Sequence, residues 1–199
     1  KAEEARIQKL KESERLAQER NSVAQQIKQV AELTSKGNFS ESIPLARSII
    51  EKNPQAGEAY LWLGIALVKS GQKEEALQQF IKASEINPKN PESYVYWGLT
   101  LVMLGNNEEA VQKLEAAIRL DQKNSNAFVY LGTALGHLGK YEESINKLEQ
   151  SLTLDNANIL AYEALVEVYY DRGKYEKAWE MVFRSRNLNL AISSEALKK

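Results

Sequence analysis

Apolar residues recur along most of the chain at intervals of three and four, the pattern of amphipathic helices. Between Glu58 and Ser70 they fall at Leu61, Leu63, Ile65, Leu67 and Val68. A second stretch runs through Ala76, Leu77, Phe80, Ile81, Ala83 and Ile86. Gly71 stands between the two stretches, where a left-handed residue closes a helix at little steric cost. Glu74 and Glu75 open the second stretch, with their charge favourable at a helix amino end. Asn87-Pro88 ends it, because proline cannot extend a helix. The pattern predicts a helical hairpin.

That hairpin repeats every 34 residues. Gly37, Gly71, Gly105, Gly139 and Gly173 lie on one lattice, and they are half of the chain's 10 glycines. Gly64, Gly98 and Gly132 lie on a second. Aromatic residues (Tyr60, Tyr94, Phe128, Tyr162) and small residues (Ala76, Ala110, Ser144, Ala178; Ala83, Ala117, Ser151, Ser185) follow the same period. A fixed period of this length belongs to helical repeat architectures. A lone unit would lose on the order of 34–68 kcal/mol of backbone entropy on ordering. One helix pair cannot offset that by burial, so the units are expected to stack. Glycine inside a helix costs about 1 kcal/mol against alanine. Its return at positions 64, 98 and 132 predicts close approach of backbones there.

These residues resemble the tetratricopeptide repeat family. Tyr60, Leu63-Gly64, Leu67, Ala76, Phe80, Ala83 and Pro88 match its pattern position by position. The next unit matches through Tyr94, Trp97-Gly98, Leu101, Ala110, Leu114 and Ala117, with Gln122 in place of the proline. The third keeps Phe128, Leu131-Gly132, Leu135 and Leu148, and the fourth Tyr162, Leu165, Tyr169 and Ala178. An earlier, degenerate unit keeps Leu33, Gly37 and Pro54, with Pro44 inside its second helix near the first turn. The resemblance implies an all-α fold, a right-handed α-solenoid of stacked helix-turn-helix repeats. Five repeats are expected over 23–190, between a charged helical arm over 1–22 and a short cap over 191–199. The arm carries a thin apolar stripe at Ile7, Leu10, Leu16 and Ala17 and is expected to run on as helix into the first repeat. Leu188, Leu190, Ile192, Ser193, Ser194, Leu197, Lys198 and Lys199 make up the end from which the cap is expected.

Composition narrows function mainly by exclusion. Lys and Arg number 26 against 27 Asp and Glu, so the chain lacks the global positive charge of nonspecific nucleic-acid binding. Trp62, Tyr96 and Tyr130 recur 34 apart, but their neighbours are apolar or acidic rather than basic. No nucleic-acid partner is expected. Apolar runs fall short of the ~20 residues that span a bilayer, so this segment is not expected to insert into membrane. With no cysteine and one histidine, His137, cysteine nucleophiles and multi-histidine metal sites are excluded. The paired glutamates recur with the repeat and read as helix-start electrostatics rather than acid–base pairs. No phosphate-cradling glycine motif is present. No enzymatic activity, metal or cofactor is expected. The chain opens on Lys1, so any leader or anchor is expected upstream. Cytoplasmic localisation is the default, with a membrane-tethered or periplasmic protein as the alternative if an upstream signal was removed.

The resemblance further implies that the first helices line a concave face. Its inward sites correspond to Glu58, Leu61, Ile65, Val68 and Lys69, then Glu92, Val95, Leu99, Val102 and Met103. Next come Asn126, Val129, Thr133 and His137, then Leu160, Glu163, Glu167 and Tyr170. Family members that hold acidic C-terminal tails use Lys, Asn and Arg at such sites. Here Leu61, Ile65, Val95, Tyr96 and Leu99 stand there instead. The expected peptide-binding face is Leu61, Trp62, Ile65, Val68, Val95, Tyr96, Leu99, Val102, Val129, Tyr130 and Thr133, turning acidic toward Glu163, Glu167 and Asp171. The expected function is a non-catalytic scaffold or adaptor that binds an apolar helical or extended segment of a protein partner. The alternative is a self-assembling homo-oligomer joined through the arm or the cap. Packing between repeats competes with binding as the role of Ile65, Val95, Leu99 and Val102.

Overall fold

A computed structural model of the chain describes residues 2–193. Ten helices follow in order: α1 (Ala2–Ser35), α2 (Phe39–Lys52), α3 (Gly57–Lys69), α4 (Lys73–Ile86), α5 (Pro91–Met103), α6 (Asn107–Leu120), α7 (Ser125–His137), α8 (Tyr141–Leu154), α9 (Ile159–Asp171) and α10 (Tyr175–Asn187). No strand occurs among the described residues. The architecture is all-α, of the class built by stacking helix-turn-helix hairpins. Two compact units divide at Asn87–Pro88. In unit 1, α1 packs on α2, α3 packs on α4, and α3 also meets α1 and α2. In unit 2, three hairpins stack: α5/α6, α7/α8 and α9/α10. Each first helix there also meets the first helix of the following hairpin.

The period is written into the turns. Gly37, Gly71, Gly105, Gly139 and Gly173 all have φ between +68 and +90°. At Gly71 the amide bonds the Val68 carbonyl and the Gln72 amide bonds the Leu67 carbonyl, which consumes the last carbonyls of α3. The second glycine lattice has a different cause from the one its spacing suggests. A Cβ on Gly64 would lie 2.5 Å from the Phe80 ring, and on Gly98 it would lie 2.4 Å from Leu114 Cγ. The glycines admit a large side chain of the second helix, and at Gly132 alone of the three a backbone atom, the Ser144 carbonyl oxygen, is among the nearest neighbours.

One 34-residue helix, α1, joins the charged arm to the first hairpin. Residues 3–22 are exposed throughout, including Ile7, Leu10 and Leu16. Pro44 sits in the second turn of α2 rather than the first, with its ring exposed. At the other end the exit differs from the repeats. The earlier second helices end on Asn53, Asn87, Asp121 and Asp155, all with extended φ between −129 and −143°. Asn189, the next residue on that lattice, has φ +58°, a region asparagine tolerates. Leu190 and Ile192 thereby fold back onto the core of α9 and α10. Ser194, Leu197, Lys198 and Lys199 of the expected cap lie outside the described residues.

Candidate peptide-binding groove

Helical periodicity separates the expected face into two groups. Leu61, Ile65, Val95 and Val129 are buried, at 1–5% exposure. Val95 belongs to a core cluster with Ala117 and Ala127, against which Tyr94, Ile118 and Tyr130 pack. Trp62, Val68, Tyr96, Leu99, Val102, Tyr130 and Thr133 are half-buried.

Unit 2 brings part of this second group together. Leu99 and Val102 of α5, Val129, Tyr130 and Thr133 of α7, and Leu160, Glu163, Ala164 and Glu167 of α9 line one open groove of about 480 Å³. Three successive first helices thus contribute turns spaced by the repeat. Ser193 closes one side: its amide donates a 2.7 Å hydrogen bond to Glu163 Oε1, so the tail beyond α10 returns to the face of α9. Ala164 had no mark in the sequence, and Ser193 was marked only as part of the expected cap. Alanine is a routine packing residue, and the tail's return depends on the turn at Asn189.

In unit 1 an open groove of about 730 Å³ lies elsewhere. Leu16, Val23 and Ile27 of α1 face the corner from Asn53 to Glu58 across it. Leu61, Trp62, Ile65 and Val68 do not line it.

Tyr130 lines the unit 2 groove, and Tyr96 is its half-buried neighbour outside the lining. Burial pushes the Tyr96 phenol above its usual range, with the charge of Glu92 adding to the shift. Burial does the same for Tyr130, and the neighbouring Tyr96 contributes. The Thr133 hydroxyl is spent on the Val129 carbonyl at 3.0 Å, so it presents its methyl group without an unsatisfied donor. Glu163 and Glu167 give the α9 end an acidic edge. His137 is exposed, with Nδ1 3.3 Å from Asn107 Oδ1, apart from this groove. Among the described residues, no three His, Cys, Asp or Glu side chains are grouped to hold a metal. No described helix is long and apolar enough to cross a membrane.

Tetratricopeptide repeat family models match residues 33–95 and 97–159. The chain belongs to the tetratricopeptide repeat family. Repeats of this family are generally non-catalytic and serve protein–protein interaction, with peptides or proteins as partners. Solved structures of the class share the fold. TTC0263 of Thermus thermophilus, described as a thermophilic TPR protein, superposes with a TM-score of 0.74 at 21% identity, covering 88% of this chain and 95% of that one. Pseudomonas aeruginosa pilF gives 0.78 at 19% identity, covering 89% and 80%. YrrB, described as a TPR protein with an unusual peptide-binding site, gives 0.64 at 22% identity, covering 81% and 84%. At these identities the likeness is one of fold. A search of curated protein sequences finds no match.

Proposed function

We propose that this tetratricopeptide protein is a non-catalytic adaptor that holds an apolar segment of a partner protein along the groove of α5, α7 and α9. One observation carries the reading. Leu99, Val102, Tyr130, Thr133 and Leu160 converge on an open groove although their hairpins already have a sealed core beneath them. Each well-buried ligand side chain would contribute roughly 1.5–3 kcal/mol there. The carboxylates of Glu163 and Glu167 favour a ligand whose apolar anchors are followed by lysine or arginine. An acidic segment would meet repulsion and find no basic clamp.

The experiment uses fluorescein-labelled amphipathic peptides with leucines at helical spacing and a lysine-rich or glutamate-rich end. The lysine-rich series should bind the stronger. Leu99→Glu with Thr133→Glu should weaken it at least tenfold while helicity by circular dichroism is retained. Ile65→Glu is a poor probe, because Ile65 is 3% exposed and its substitution tests folding. Equal binding by the groove double variant removes the groove as the site.

A further inference from the structure

α10, the last described helix, carries an exposed aromatic ridge. Tyr175, Trp179 and Phe183 follow one another at intervals of four and so line one face of the helix. They are 56%, 55% and 58% exposed. Trp179 and Phe183 meet ring to ring at 6.4 Å, and Tyr175 meets Tyr170 edge-on at 5.3 Å. One hairpin earlier, the equivalents of Tyr175 and Trp179 are Tyr141 and Ile145, which pack into the core shared with α9 and α10. The equivalents of Phe183 within unit 2 are Glu115 and Glu149, both exposed, and those in unit 1 are Arg47, exposed, and Ile81, half-buried. Within unit 2 an aromatic residue thus stands on α10 where α6 and α8 carry a solvated carboxylate, and its one ring contact is with its exposed neighbour Trp179.

The first hairpin is finished differently. Gln25, Gln29 and Glu32 of α1 are exposed where α3 carries the buried Ala59, Leu63 and Ala66. A polar outer face of this kind seals the end of a repeat array. This stretch of α1 offers the ridge no apolar counterpart; the exposed Ile7, Leu10 and Leu16 lie nearer the start of that helix. The described tail also leaves the ridge open, because Leu190 and Ile192 turn toward the core and Ser193 toward Glu163.

We propose that the ridge docks on the same ridge of a second copy, forming an antiparallel two-fold pair of α10 helices. A symmetry axis near Met181 sets Trp179 of each copy beside Phe183 of the other. Charge favours this direction. Arg186 at the carboxyl end of one helix comes over Glu176 at the amino end of the other, whereas a parallel pair would bring like charges together; Arg184 is held over the Tyr162 ring of its own chain at 5.9 Å. The lysines at the amino end are occupied within their own chain. Lys177 lies 5.6 Å over the Tyr169 ring, and Lys174 lies 4.0 Å from Glu142. Three exposed rings per copy make a small interface, so the dimer dissociates on dilution.

Sedimentation of the full 199-residue chain over a concentration series tests this, with Trp179→Glu/Phe183→Glu alongside. A monomer–dimer equilibrium is expected, and the double variant should be monomeric with unchanged helicity, since both side chains are exposed. The chain has no cysteine, so engineered thiols report geometry cleanly. An oxidised mixture of Trp179→Cys and Phe183→Cys should cross-link several times faster than either variant alone. A wild-type chain monomeric at every concentration overturns the proposal. A dimer that survives the double variant, or thiols that cross-link no faster when mixed, does so too.

Discussion

The Ser144 hydroxyl donates a buried 2.7 Å hydrogen bond to the Gly132 carbonyl, fastening α8 to α7. That approach exists because position 132 has no side chain. A Cβ there would stand 2.6 Å from Leu148 Cγ and 3.2 Å from the Ser144 carbonyl oxygen. Leu148, fully buried, occupies the space instead.

Gly132→Ala sets two effects against each other. Helix propensity favours alanine by about 1 kcal/mol. Overpacking against Leu148 costs about 1–3 kcal/mol, and the Ser144 backbone prevents an easy retreat. The net expectation is destabilisation, read as a lower urea midpoint. Leu148→Ala in the same chain should cancel part of the Gly132→Ala penalty, so the two changes should be non-additive. A midpoint equal to or above wild type for Gly132→Ala would show that the notch is not tight.

Asn90, Asn124 and Asn158 share the 34-residue period but not a role. Asn90 and Asn124 cap α5 and α7, accepting from the amides of Glu92 and Ala127. Asn158 precedes α9 without a side-chain cap bond. It reaches back to the preceding hairpin, donating to Asn126 Oδ1 at 2.9 Å and Ser125 Oγ at 3.1 Å. Asn158→Ala should therefore cost about 1–2 kcal/mol, through the joint between hairpins rather than through capping. Hydrogen exchange should speed up at the start of both α7 and α9. Acceleration confined to α9 would reduce Asn158 to a local residue.

Tyr96 and Tyr130 should ionise late in a titration followed by phenolate absorbance, above the ordinary tyrosine range. Burial is the first cause of both raised values. A phenol whose folded-state pKa exceeds the unfolded value of ~10 gives stability that is complete below that value and is lost as pH rises through the folded one. Alkaline unfolding should accordingly begin above pH ~10. Tyr96→Phe/Tyr130→Phe should shrink the late component to the part that Tyr169, also raised first by burial, contributes, and a groove peptide should delay Tyr130 further. A curve that shows only ordinary phenols in the wild type would mean that these side chains are well solvated.

Much of this was legible along the chain. The five turn glycines named the joints, because only a left-handed residue closes each first helix at that spacing. The apolar rows named the helices, and α1 runs through the boundary between the arm and first hairpin, as the unbroken run of helix formers at its start predicts. The glycines at 64, 98 and 132 were legible as sites of close approach, but their partners were not. A sequence shows the missing side chain without showing that Phe80, Leu114 and Leu148 fill the gap.

Within the candidate groove, Val95 and Leu99 are four residues apart on one helical face, and periodicity treats them alike. Only the neighbouring hairpin distinguishes them: Ala117 and Ala127 seal Val95, while Leu99 opens on the cavity. Ile145 and Trp179 make the same point across the repeat, one buried and the other bare. The sequence determined the hairpin, its period and its turns, since these depend on helix propensity, backbone conformation and local spacing. Tertiary structure alone decided which apolar residues are core and which are surface, because burial belongs to whatever packs on a helix and not to the helix itself.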